Sequence, residues 1–292
     1  MMPRRRVGRV LALVAIASAG CSLAYSSELN DARGIQAPGV SDRRDGGGDS
    51  ATDGDGATAV GGDAGDAGDD AGAARGCAAM QPSPRYCRDF DDNAPLESGG
   101  WTIDINPPGK QFVELDTSSG YSTPASLVTK LANAPSCSYG RLVRAFPEVS
   151  SRVELRVRLR PTGPWRDTDG VMITHFDDDS ASPCAAILYL QAGADGLITS
   201  AAVNMQTPGT NDLRPLNGFA PVDEWTELGM VATRVDAGIS LVVSFRREDG
   251  TYSEAKHVFS QCKLAGTTRV KLGWHCENGN GEMHYDDFGI DW

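Results

Sequence analysis

One stretch of this sequence carries arginine at alternate positions: Arg152, Arg156, Arg158 and Arg160, with Glu154 among them. A planar guanidinium pairs carboxylate or sulfate through two parallel hydrogen bonds, and an indole offers a broad face on which a sugar can stack. Arg156, Arg158, Arg160 and the nearby Trp165 are therefore candidate ligands for an acidic polysaccharide. The same residues also read as the solvated face of a strand. A second cluster, His175-Phe176-Asp177-Asp178-Asp179, sets three carboxylates side by side. They could supply oxygen ligands to Ca²⁺, or form a solvated loop with turn-forming aspartates. Glu114-Leu115-Asp116 puts two carboxyls on one strand face, but no second Glu follows, so Glu114 reads as an exposed strand residue. The four histidines (His175, His257, His275, His284) accompany no Gly-x-Ser-x-Gly elbow, and nothing points to a nucleophilic triad.

Seven cysteines are present. Six fall after residue 76: Cys77, Cys87, Cys137, Cys184, Cys262 and Cys276. An even set behind an export signal reads as a disulfide framework. Six cysteines allow many connectivities; the expected one is Cys77–Cys87, Cys137–Cys184 and Cys262–Cys276, the first and last from proximity in sequence. Zinc is disfavoured, because no C-x-x-C pair exists and His275-Cys276 is a poor ligand pair.

These residues must be held by strands. In Ser151–Arg160, Val153, Leu155, Val157 and Leu159 alternate with charged residues, the pattern of a half-buried antiparallel strand. The same period predicts strands at 101–105, 111–115, 126–130, 141–146, 170–176, 185–191, 196–204, 225–234, 239–246, 255–259, 269–275 and 283–291. Asp236-Ala237-Gly238 and Glu248-Asp249-Gly250 read as tight hairpin connections. About a dozen strands with almost no helix imply an all-β, two-sheet antiparallel sandwich.

The order of features resembles the concanavalin A-like (laminin G-like) jelly-roll superfamily. The residues that carry the resemblance are Phe90-Asp91-Asp92, Trp101, Ser122-Thr123-Pro124-Ala125-Ser126-Leu127, the strand opening at Trp225, Asp249-Gly250 and the closing Tyr285-Asp286-Asp287-Phe288-Gly289-Ile290-Asp291. A galactose-binding-like jelly roll shares the early features and is the alternative. The resemblance implies that the first and last strands are neighbours, which brings Phe90 near Phe288. The superfamily's glycosidase motif, Glu-x-Asp-x-x-Glu, is absent. If Phe288 and Ile290 face inward, parity turns Asp286 and His284 inward as well. A carboxylate there is costly unless hydrogen-bonded or bound to a cation. Either Asp286 ties down a loop through backbone N–H groups, or, as the resemblance implies, Asp286 and Asp287 hold a structural Ca²⁺ completed by Asp89 or Asp91. Trp101, Trp225 and Trp274 are expected in the core or packed on a sheet.

The N-terminus carries an address. Arg4, Arg5, Arg6 and Arg9 precede the apolar run Val10–Gly20, which is shorter than the roughly 20 residues that span a bilayer. This is the pattern of a secretory signal. Ser18-Ala19-Gly20-Cys21 resembles the lipobox of bacterial lipoproteins, which implies a lipid on Cys21. Ser22 after it implies the outer membrane or cell surface. Residues 22–76 hold almost no large apolar side chains and eight aspartates from Asp45 to Asp70, so they cannot bury enough surface to fold. A Gly-rich coil of this length reaches about 40 Å. The organisation is a signal at 1–20, a lipidated Cys21 and linker at 21–76, and a disulfide-stapled sandwich at 77–292.

With 27 basic and 39 acidic residues, net −12, the chain lacks the basic footprint of a nucleic-acid binder. The expected function is a membrane-anchored module that binds carbohydrate or matrix polysaccharide without catalysis. A polysaccharide hydrolase or lyase with a non-standard site, and a structural envelope protein, are the rivals. A binder requires a groove with exposed aromatics and arginine. An enzyme requires two convergent carboxylates, or an Arg/Tyr/His cluster, in that groove.

Overall fold

A computed structural model describes residues 76–292, apart from 92–93, 107, 123–124, 148, 150, 164, 166–167 and 276; the side chains of 133–137, 168–170 and 277–279 are also outside the description. Cys21, the signal and the linker lie outside the described residues.

Fourteen strands make up the described fold. In chain order they are β1 (Tyr86–Arg88), β2 (Thr102–Asn106), β3 (Gln111–Asp116), β4 (Ser126–Phe146), β5 (Arg152–Thr162), β6 (Thr168–Phe176), β7 (Cys184–Ala192), β8 (Ile198–Thr207), β9 (Thr210–Pro215), β10 (Thr226–Val235), β11 (Gly238–Arg247), β12 (Tyr252–Phe259), β13 (Thr268–Gly273) and β14 (Glu277–Asp291). The first sheet runs β12-β11-β10-β5-β14-β4-β3, with β1 paired to the end of β14; the second runs β9-β8-β7-β6-β13-β4-β2. All pairings are antiparallel. Among the described residues no helix is long and apolar enough to cross a membrane.

Alternation explains the layering. Val153, Leu155, Val157 and Leu159 on β5 are at most 1% exposed and meet Leu188, Val203, Val270 and Leu272 of the second sheet in one core. Trp101 stands edge-on to Phe146 and Phe288 and donates its indole N–H to Tyr86 Oη at 2.8 Å. The pairing of β1 with β14 sets Arg88 opposite Phe288 and leaves Phe90 buried at the same end. The first and last strands are thus neighbours, as the resemblance implies.

Three features differ from the sequence reading. The two strands expected at 126–130 and 141–146 are one 21-residue strand, β4, which leaves the first sheet and enters the second. The short strands β1 and β9 were not expected: β1 has three residues, and β9, Thr-Asn-Asp-Leu-Arg-Pro, lies exposed along the sheet edge. In addition, β14 has a register shift between Asp286 and Gly289, with Asp287 at a positive φ of 47°. Such a bulge adds a residue to one strand and resets the alternation. Met283 and Tyr285 face the core before it, and Phe288 and Ile290 after it. Asp286 and His284 therefore sit opposite Arg158 and Arg160 on the far side of the first sheet, not inward as unbroken parity implied.

The disulfides also require a correction. Cys77–Cys87 forms as expected, but Cys184 pairs with Cys262. The Cys137–Cys184 and Cys262–Cys276 pairs are therefore overturned. Proximity in sequence failed because Cys262 follows β12, in the connection to β13, and the fold carries it to the start of β7 on the second sheet.

Candidate functional site

The outer face of the second sheet gathers most of the unusual chemistry. Residues paired across an antiparallel sheet point to the same side. One row runs Val143, Lys271, Ile173, Ile187, Asn204; the next runs Ala145, Arg269, His175, Ala185, Gln206. Arg141 follows on β4, opposite Asp104 on β2. The intervening residues Val270, Leu272, Ala186, Leu188 and Val203 fill the core. Although they sit on the outward side, Arg141 is 2%, His175 5%, Lys271 6%, and Asn204 and Gln206 each 8% exposed. These polar groups are therefore buried on the outward side of the sheet, around a small apolar cluster of Ile173, Ala185 and Ile187 against which Tyr189 packs.

The charges here are ordered. Arg141 donates through Nε and Nη2 to Asp104 Oδ2 at 2.9 and 2.8 Å, lies over the Tyr139 ring and approaches His275 Nδ1 at 3.5 Å. Arg269 Nη2 is 2.8 Å from Asp178 Oδ2, and His175 Nδ1 is 3.5 Å from Asp178 Oδ1. Burial, then Lys271, Arg269, Arg141 and His275, hold the His175 imidazole well below the usual histidine range, so it is neutral. Burial raises the Asp178 carboxyl, while Arg269 and Lys271 oppose the rise. The Asn204 carbonyl oxygen is buried without a hydrogen-bond partner among the described residues. Two cations, two amides and a neutral imidazole surround an apolar cluster; a carboxylate-bearing ligand would meet Arg141 in exchange for part of its pairing with Asp104, and the imidazole can accept a proton or a hydroxyl's hydrogen bond. Of this set, sequence reading named only His175 and Asp178, as part of an acidic loop. Asp178 is not a solvated turn residue; its side chain is 7% exposed. Asp179 accepts the Thr267 N–H.

The forecast quartet does not come together. Arg156, Arg158 and Arg160 lie on the outer face of the first sheet, whereas Trp165 is fully buried 4.9 Å from Trp274 in the core. Each guanidinium is engaged. Arg156 donates to the carbonyls of Gln81 and Pro82, both at 2.7 Å. Arg158 pairs with Glu227 at 2.8 Å and covers Tyr121. Arg160 donates to Ser119 Oγ and covers Trp225. A depression of about 460 Å³ on this face is lined by Arg156, Arg158 and Arg246 but also by Glu154, Glu227, Glu254 and Asp287, so its acids outnumber its cations. Glu114 is exposed on β3.

The aspartates near β1 and the β14 bulge do assemble. Asp286 Oδ2 accepts the backbone N–H groups of Tyr121 and Ser122 at 2.8 and 3.2 Å, and Oδ1 accepts that of Asp287. The loop-tying role is therefore present. Asp287 accepts the Ser122 hydroxyl at 2.8 Å. Burial and the Asp287 charge push Asp286 up to about 7; burial, Asp89 and Asp287 push Asp91 up to about 6. Burial raises Asp287 as well, and Asp89 adds to it. Asp91 Oδ1 is buried without a hydrogen-bond partner among the described residues. Repelling carboxylates and an orphaned oxygen fit a hard cation, although no three such residues among those described converge closely enough to hold a metal unaided.

No family profile matches the chain, and no curated protein matches it in sequence. Solved structures do. Cellulose induced protein, Cip1, superposes with a TM-score of 0.50 at 13% identity, over 70% of this chain and 96% of that one. The PL-14 alginate lyase from Aplysia kurodai gives 0.50 at 5% identity, over 71% and 98%. Lectin I from Ulex europaeus gives 0.45 at 10%, over 70% and 97%. The fold is a concanavalin A-like jelly roll. Within this jelly roll the arginine ladder of β5 and the cationic face of β4, β13 and β6 lie on opposite outer surfaces.

Proposed function

We propose that this jelly roll takes an acidic, carboxylate-bearing polysaccharide on the outer face of its second sheet. The observation that carries the reading is the clustering of Arg141, Lys271, His175, Asn204 and Gln206, each at most 8% exposed, on the outward side of a sheet, in a chain of net charge −12. Keeping such groups out of water costs stability, and groups with displaced titration cluster at functional positions. The similarity to a cellulose induced protein and an alginate lyase agrees with a carbohydrate role. The test is affinity electrophoresis of the full chain through gels containing a uronate polymer or a neutral glucan. Retardation by the uronate alone, lost in Arg141→Ala and Lys271→Ala, is expected. Equal mobility in both gels would refute it.

A second reading, β-elimination at the same face, is favoured by His175. A neutral imidazole beside two cations can take the proton next to a carboxylate whose charge those cations hold. Ultraviolet absorbance from an unsaturated uronate product, absent in His175→Ala, distinguishes cleavage from binding.

We further propose that Cys21 carries a lipid that anchors the chain to a membrane, and that Asp89, Asp91, Asp286 and Asp287 favour a structural Ca²⁺. The first is supported by the basic leader, the short apolar run and the small residues before Cys21. The second is supported by the repulsion of Asp286 by Asp287, both buried, and of the partly buried Asp91 by Asp89 and Asp287.

A further inference from the structure

Histidine has two ring nitrogens, and the hydrogen bond made by one decides what the other can do. In His175, Nδ1 is fully buried and is 3.5 Å from Asp178 Oδ1. That separation is longer than a finished hydrogen bond, and Nδ1 has no hydrogen-bond partner among the described residues. Asp178 is itself fixed. Its backbone N–H donates to the Thr267 carbonyl at 2.9 Å, the next residue, Asp179, accepts the Thr267 N–H, and its second oxygen meets Arg269 at 2.8 Å. The other groups facing the ring are Lys271 on β13, Arg141 on β4 and His275; the paired residue on β7 is Ala185, which offers no partner.

We propose that Asp178 is a positioning residue for His175: it holds the ring as the Nδ1–H tautomer and leaves the Nε2 lone pair as the acceptor presented at the outer face of the second sheet. Arg269 supplies the reason. A guanidinium at 2.8 Å favours Asp178 as the carboxylate, and a carboxylate only accepts, so Nδ1 carries the hydrogen. The surrounding cations disfavour a second proton on the ring. Two wrong states, the Nε2–H tautomer and the imidazolium, are thereby suppressed. The functional part of this inference rests on the proposed glycan site, where Nε2 accepts either a sugar hydroxyl or the proton removed in elimination.

The tautomer is measured without any glycan. In the full chain labelled with ¹⁵N-histidine, with His175 assigned by its loss in His175→Gln, the expected spectrum has a protonated Nδ1 and an unprotonated Nε2. In Asp178→Asn, Arg269 takes the amide oxygen and turns the NH₂ toward Nδ1, so the tautomer reverses; Asp178→Glu keeps it. If Asp178→Asn does not fold, Arg269→Gln is the substitute, with the Nε2–H form gaining population. An Nε2–H ring in the unaltered protein, or a ring indifferent to both substitutions, overturns the inference. On a uronate polymer, Asp178→Asn lowers affinity or elimination at least about tenfold, with partial recovery in Asp178→Glu. If the expected tautomer is found but no glycan binds, the proposed function fails and the positioning role stands.

Discussion

At the scale of single residues, burial turns ordinary side chains into unusual ones, and Asp286 gives the clearest test. Its carboxyl titrates near 7 in the fold, above the usual 3.8. The folded state therefore binds a proton that the unfolded state releases, and the contribution to stability is lost as pH rises through 7. Asp91, near 6, acts in the same sense. His175 and His284, both lowered chiefly by burial, act oppositely and cost stability as pH falls below about 6.5. The aspartate effect is therefore read as a difference. In EDTA, Asp286→Asn is expected to gain in melting temperature relative to the unaltered chain as pH rises from 5 to 8. Added Ca²⁺ is expected to raise the melting temperature of the unaltered chain at pH 8 more than at pH 5. A calcium-independent melt would remove the cation from the account.

At the scale of elements, strands were legible and their company was not. The alternation in Ser151–Arg160 announces β5, because one face of that strand is wholly apolar and the other wholly polar. No local signal joins Arg141, Lys271, His175 and Asn204, which come from four strands and meet only through a register that the sequence leaves open. The β14 bulge shows the same limit at one position: a single added residue reversed the direction inferred for His284 and Asp286. The loop-tying role of Asp286 survived, because it rested on the cost of a buried carboxylate and not on which sheet face it occupied. Two predictions belong here. A Cβ at Gly281 would lie 2.4 Å from the Trp274 ring, so Gly281→Ala is expected to lose about 1–3 kcal/mol in denaturant unfolding. The Cys184–Cys262 bond spans 78 residues, so the Cys184→Ala, Cys262→Ala double variant is expected to lose about 4 kcal/mol by the same measurement.

At the scale of the whole molecule, sign and placement of charge matter more than total. An acidic chain repels an acidic polymer at long range, yet the second sheet offers Arg141, Lys271 and Arg269 within one patch. Reversing one of these cations, as in Lys271→Glu, is expected to abolish retardation in a uronate gel while leaving the circular dichroism spectrum that of a β protein. Replacing Cys21 by Ser is expected to stop incorporation of labelled fatty acid, read by gel fluorography. Persistent labelling would exclude Cys21 as the site.

The Cys77–Cys87 ring joins the start of the sandwich to β1, and β1 is zipped to the end of β14. A pull arriving from the N-terminal side of Gly76 reaches a covalent bond before it reaches the β1 ladder. The bond hands the load past the intervening residues to Cys87 and so to β14, which is flanked by β4 and β5 in the middle of the first sheet. Load applied at Cys77 is therefore passed to the three-residue ladder that holds β1 on the end of β14.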